Sequence, residues 1–126
     1  MLGYCVTVKE TSRELSNKER IKIKDTTNAH KLDEVVENDG TPFVITPVAY
    51  AILNIHNEKA TPPDYDQYLV VDESGAKYIT GSNSFWESFK SIWDEMQGDT
   101  ESWSIEVYKI DSKNYKGKSF ITCSIT

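Results

Sequence analysis

This 126-residue chain has little of what most enzymes are built from. It holds only two cysteines and two histidines. No window approaches the ~18 consecutive apolar residues that a membrane-crossing helix needs. Glycine-rich phosphate loops, nucleophile elbows and metal-ligand spacings are all missing. His30 and His56 have no Cys or Glu at ligand spacing, so no metal and no cofactor is expected. Asp33-Glu34, Asp72-Glu73 and Asp94-Glu95 are adjacent in sequence and diverge on a strand or helix, so they read as solvating charge and not as an acid–base couple. Cys5 and Cys123 each sit in a strand-like run and are expected to be buried thiols of a reducing compartment. Met1 to Cys5 lacks the basic start and apolar run of a secretory signal. The expectation is a non-enzymatic, cytoplasmic protein without membrane contact.

What is present is charge, unevenly spread. The net charge is −6. Residues 9–24 carry net +3, residues 25–101 net −11, and residues 102–126 net +2. Two basic ends flank an acidic middle, and the ends form one basic patch if the fold brings them together.

The clearest element is the stretch Ser84 to Gly98. Phe85, Trp86, Phe89, Ile92, Trp93 and Met96 recur at helical spacing, which predicts a core helix over about 84–97. Ser84 with Glu87 fits a capping box, and Gly98 suits a left-handed C-terminal residue. Strands are expected at 2–9, 20–24, 43–57, 67–72, 76–80, 103–110 and 118–126, with a turn at Glu73-Ser74-Gly75. In Arg20–Lys24 strict alternation turns Ile21 and Ile23 inward and the bases outward. Pro47 marks a break in the longest strand. Ala29, Leu32, Val35 and Val36 allow a short helix capped by Asn28.

From Phe43 onward the order is long strand, strand, strand, helix, strand, strand. That is the order of an OB-like five-stranded antiparallel barrel with one helix between strands three and four. The expected class is β-rich α+β, a single domain over 1–126, with an N-terminal strand and short-helix addition (1–40) on an OB-like core (41–126). A helix packed on an open antiparallel sheet is the other layout.

Between Lys109 and Phe120 the chain interleaves lysines with aromatics. Binding single-stranded nucleic acid takes cations for phosphates and exposed rings for bases. The candidate contacts are Lys22, Lys24, Tyr68, Tyr78, Tyr108, Lys109, Lys113, Tyr115, Lys116, Lys118 and Phe120. Tyr115, in a polar loop, is the foremost ring.

The run Ser112 to Cys123 (SKNYKGKSFITC), preceded by Tyr78-Ile79-Thr80-Gly81-Ser82 and the aromatic helix, resembles small phage and mobile-element proteins of Gram-positive bacteria. Those are taken as single-stranded DNA-binding proteins with OB-like folds. The resemblance implies support of phage or mobile-element DNA replication or recombination, with single-stranded DNA as partner, phage or host replication proteins as further partners, and homo-oligomers as an allowed state. The chain ends on a strand without the acidic tip of housekeeping relatives. Its acidic middle supports an alternative: a small acidic phage protein that inhibits a host protein by mimicking nucleic acid, presenting Asp64, Asp66, Asp72, Glu73, Asp94 and Glu95.

Overall fold

The computed structural model describes residues 4–12, 14–36, 42–98, 103–111 and 119–126. The chain divides into two compact units, one of Met1–His30 with Val48–Gly81 and one of Lys31–Pro47 with Ser82–Thr126. Among the described residues there is no closed barrel. The strands form two sheets, one of five and one of three, so the fold is a β-rich α+β arrangement.

The five-stranded sheet runs β1-β4-β5-β6-β2 through β1 (Tyr4–Thr11), β2 (His30–Lys31), β4 (Pro47–Asn57), β5 (Asp64–Asp72) and β6 (Lys77–Thr80), which belong to the first unit except for the end residues Lys31 and Pro47. The N-terminal strand is an integral edge of this sheet, antiparallel to β4, with a bulge between Val8 and Glu10. A bulge and a lysine are devices that blunt an edge strand. Period-two alternation sends Ala51, Leu53, Ile55, Leu69 and Ile79 to one face, where Leu15 and Ile23 complete the core.

Ile23 belongs to α1 (Asn17–Lys24), which replaces the strand expected at 20–24. Five residues of alternation fit a helix as well as a strand, and the deciding signal lies upstream. Ser16 Oγ accepts from the Glu19 N–H at 3.2 Å while Glu19 Oε1 accepts from the Ser16 N–H at 3.2 Å, a reciprocal capping box. Helical geometry then separates the two isoleucines: Ile23 is buried and Ile21 is 69% exposed. Lys22 and Lys24 therefore stand on a helix and not on the outer face of a strand.

The long segment at 43–57 breaks at the expected proline. β3 (Phe43–Ile45) ends before Thr46, and Pro47 opens β4 in the other sheet. Proline has no N–H to give a ladder, so it is tolerated at a strand's first residue. The turn at 73–75 forms as expected, with Gly75 at φ +89° and Asp72 Oδ1 accepting from the Ser74 and Ala76 N–H groups at 3.0 and 2.9 Å.

The second unit joins β3, β7 (Ile105–Asp111) and β8 (Ser119–Ile125) in the order β3-β7-β8, packed by α3 (Asn83–Glu95). The short α2 (Leu32–Val35) buries Leu32, but its N-cap is Lys31 with no side-chain bond, so Asn28 caps nothing there. The α3 cap is Ser82, whose Oγ accepts from the Phe85 N–H at 3.2 Å. Ser84, expected to cap, lies inside the helix and donates its hydroxyl to the Ile121 carbonyl at 2.8 Å. With Ser88 Oγ and Thr122 Oγ1 3.0 Å apart, α3 lies along β8. A helix so placed covers a sheet edge that would otherwise invite pairing with another chain.

Phe85 and Phe89 are fully buried and stacked at 5.8 Å, while Trp86 and Trp93 flank Phe89 at 5.4 and 5.9 Å. Large-to-small changes at such sites lose transfer energy and leave a cavity. Phe89→Ala is expected to lower unfolding free energy by about 3–5 kcal/mol, and Ser82→Ala by about 1 kcal/mol, both read from urea midpoints. A smaller loss for Phe89→Ala than for Ser82→Ala would contradict this ranking.

Candidate nucleic-acid interface

The register of the C-terminal hairpin decides which side chains share a surface. Tyr108 pairs with Thr122, Lys109 with Ile121, and Ile110 with Phe120. Paired residues point to the same side, and neighbours along a strand to opposite sides. Val107, Cys123 and Ile121 are buried on one face with Lys109, which is half-buried and engaged. Val44, Glu106, Tyr108, Ile110, Phe120, Thr122 and Ser124 occupy the other, where Thr122 is buried against Ser88 of α3. On that open face Ile110 is 40% and Phe120 41% exposed.

Tyr108 is a diagonal neighbour of Phe120, at a spacing within reach of aromatic side chains. Its hydroxyl lies 2.6 Å from Ser124 Oγ, which holds the ring in place on the sheet. The hairpin's aromatics therefore share one surface, and Lys109 is on the opposite one. Lys113, Tyr115, Lys116 and Lys118 lie outside the described residues.

In the first unit, α1 exposes Lys18, Arg20, Lys22 and Lys24 around Ile21. Below it is a groove of about 530 Å³ with Leu15, Ile23, Val71 and Tyr50 among its walls, together with Lys22, Lys77, Glu19 and Asp25. Two cations meet two carboxylates there, so the groove makes no net electrostatic claim on a phosphate. Lys77 is already committed: its Nζ donates to the Lys22 and Asp25 carbonyls at 2.8 and 2.6 Å, satisfying the C-terminal end of α1.

Tyr68 and Tyr78 share the other face of the five-stranded sheet, since Tyr68 pairs with Thr80 and Val70 with Tyr78. Only Tyr68 is partly accessible. Tyr78 is buried, its ring 5.5 Å from His30 and its hydroxyl donating to Asp72 Oδ2 at 3.3 Å, so it offers no face for stacking. Burial, and then the Asp72 charge, raises the Tyr78 hydroxyl above its usual range.

The same face organises the acids of β5. Lys9 Nζ donates to Asp66 Oδ2 at 2.9 Å and Asn54 Nδ2 to Asp66 Oδ1 at 3.1 Å. These bonds, the Lys9 bond first, hold the Asp66 carboxyl below its ordinary range. Asp64 Oδ1 lies 2.8 Å from His56 Nδ1. In the second unit, Asp94 of α3 accepts from Lys90 of the same helix at 2.7 Å. Burial alone would push the Asp72 carboxyl up, but the Ser74 hydroxyl, the Ala76 and Ser74 N–H groups and the Tyr78 hydroxyl together outweigh it and hold Asp72 low.

Sequence reasoning missed two features of this unit. The capping box of α1 was legible as Ser16 followed by Glu19. The pairing of Cys5 with His56 was not, because it depends on register across 51 positions. No group of His, Cys, Asp and Glu among the described residues is arranged to hold a metal ion, and none of their helices is long and apolar enough to cross a membrane. Comparison with family models, with curated proteins and with solved structures finds no match to this chain.

A carboxyl held low in the fold stabilises it at every pH above the ordinary Asp value, and that contribution is lost as pH falls through the folded value. Wild type is therefore expected to lose more stability than Asp72→Asn when urea unfolding is moved from neutral pH to about pH 3, below the usual Asp value of about 3.9. Equal losses in the two proteins would show that the Asp72 cluster contributes nothing to acid sensitivity.

Proposed function

We propose that this chain binds single-stranded nucleic acid without catalysis, using the open face of the three-stranded sheet as a stacking platform. The observation that carries the proposal is the exposed Phe120–Ile110 pair with Tyr108 beside it on the same face. A sheet face with accessible rings suits unstacked bases, because every base has a π-face and stacking needs no sequence code. Antiparallel sheets present such rings without a barrel, so the proposal does not rest on OB-like closure.

Phosphates need cations, and the exposed Lys22 and Lys24 of α1 are a separate candidate contact within the first unit. The sequence adds Lys113, Tyr115, Lys116 and Lys118 next to the aromatic pair in the chain. Single-stranded DNA of a phage or mobile element remains the partner that the resemblance implies, with replication or recombination as its setting. The rival reading, an acidic mimic, loses support from the geometry. Asp64, Asp66, Asp72 and Asp94 are all engaged by side chains or backbone of this chain, which leaves Glu73 and Glu95 of the six acids that a mimic would present.

Fluorescence titration with labelled oligo-dT is expected to show binding that weakens with salt. Phe120→Ala and Tyr108→Ala are each expected to cost about 1–3 kcal/mol of binding, the range for one stacked base. Replacing Lys113 and Lys116 together by Ala is expected to reduce the slope of log K against log salt by about 1.4, at roughly 0.7 for each phosphate contact to a single strand. Absence of binding at low salt by the folded protein would overturn the proposal.

A further inference from the structure

Independently of nucleic acid, we infer that Cys5 is a site of reversible thiol–disulfide exchange, with His56 as its proton acceptor and Asp64 as the residue that positions His56. Three strands assemble this group. Cys5 of β1 is the register partner of His56 of β4, and facing residues of an antiparallel pair have Cβ atoms about 4.5–5.5 Å apart. The thiol and the imidazole thus stand side by side on the face of the sheet opposite the Leu53–Leu69 core. Asp64 of β5 closes the group from the other side, its Oδ1 2.8 Å from His56 Nδ1.

That bond settles which ring nitrogen can work. A carboxylate only accepts, so Nδ1 carries the hydrogen and Nε2 keeps its lone pair for an incoming proton. Nucleophile, base and orienting carboxylate are the parts of an activated-thiol site. Access is open: Cys5 is exposed, the His56 side chain is 35% exposed and that of Asp64 60%. No enclosed pocket is needed for a small disulfide to approach.

The exchange balances without another reagent. Cys5 Sγ–H gives its proton to His56 Nε2, and the sulfur attacks one sulfur of a small disulfide of the cystine or oxidised-glutathione class. The S–S bond breaks, a mixed disulfide forms on Cys5, and the departing thiolate takes the proton back from the imidazolium. A free small thiol reverses every step. Cys123 provides the internal contrast, because burial pushes its thiol up to about 12. A buried thiol in apolar surroundings is inert.

The surroundings leave His56 as the group suited to the task. The other charged or titratable side chains on this face include Lys9 and Glu10 of β1, Tyr50 of β4, and Asp66 and Tyr68 of β5. Lys9 and Asp66 are bonded to each other at 2.9 Å. The helix α1 packs on the opposite face and brings no charge to the thiol.

The test is the rate at which the folded full-length chain reacts with 5,5′-dithiobis(2-nitrobenzoate), itself a disulfide, across neutral and alkaline pH. One thiol is expected to react, and Cys5→Ser to abolish that phase while Cys123→Ser leaves it. At neutral pH His56→Gln is expected to slow it severalfold, because the base that takes the thiol proton is lost. Near pH 9.5 the wild-type and variant rates should converge, because an unassisted thiol of pKa about 8.5 is then ionised without help. Asp64→Asn should slow the neutral reaction less and converge likewise. Equal neutral rates in wild type and His56→Gln would overturn the inference, as would a difference that persists at high pH, which marks access and not proton transfer. A fast phase surviving in Cys5→Ser would overturn it as well.

Discussion

Burial of Phe85 and Phe89 is the constraint on which the second unit depends. Two phenyl rings one helical turn apart give α3 a single sticky side, and the rings can leave water only with an apolar surface beside them. Val107, Ile121 and Cys123 supply apolar side chains on one face of the hairpin. Once that face is committed, alternation fixes the other: a slip of one residue would bury Tyr108 and Phe120 and expose Val107 and Cys123. The open aromatic face is thus a consequence of core packing. Its register is protected by the same hydrophobic free energy that holds α3.

Charge in the first unit follows a comparable logic of commitment. A net charge of −6 disfavours binding a polyanion, yet formal charge is a weak guide to the field at a surface. Several acids of the acidic middle satisfy local donors. Asp72 organises a turn, Asp66 joins Lys9 and Asn54 across strands, and Asp94 neutralises Lys90 on its own helix. Carboxylates with such partners still carry charge, but it is offset within a few ångströms. α1 carries four cations, Lys18, Arg20, Lys22 and Lys24, and one acid, Glu19, whose carboxylate reaches back to the cap. Position and pairing, more than the sum of −6, decide what each surface attracts.

How far the sequence could be read follows from the range of each signal. The aromatic helix, the 73–75 turn and the break at Pro47 rest on contacts within a few residues, and each is present close to its expected place. Gly98 is left-handed at φ +84°, two residues beyond Met96, the C-cap of α3. Local signals misled where two patterns coincide. RIKIK satisfies strand alternation, and only the Ser16–Glu19 box four residues upstream shows that a helix has already begun. Ser82 and Ser84 are equally good caps on paper, and the choice falls to Ser82 because Ser84 finds the Ile121 carbonyl, a partner 37 residues away. The barrel was inferred from element order alone, which says nothing about which strands pair.

Functional groups suffer most from that gap, because their chemistry depends on pairing. Read along the chain, His56 ends a strand and Cys5 begins another, and neither has a chemical neighbour. Strand register brings them face to face, and the β4–β5 connection returns the chain eight positions later with a carboxylate for the imidazole. The same operation separates residues that the sequence places together: Lys109 and Phe120 stand on one hairpin but on opposite faces of it. A site on a sheet is written in the register, and register is fixed by the buried residues between the functional ones. Mutating Leu53, Ile55 or Val107 would therefore act on function through alignment, without touching a single candidate contact.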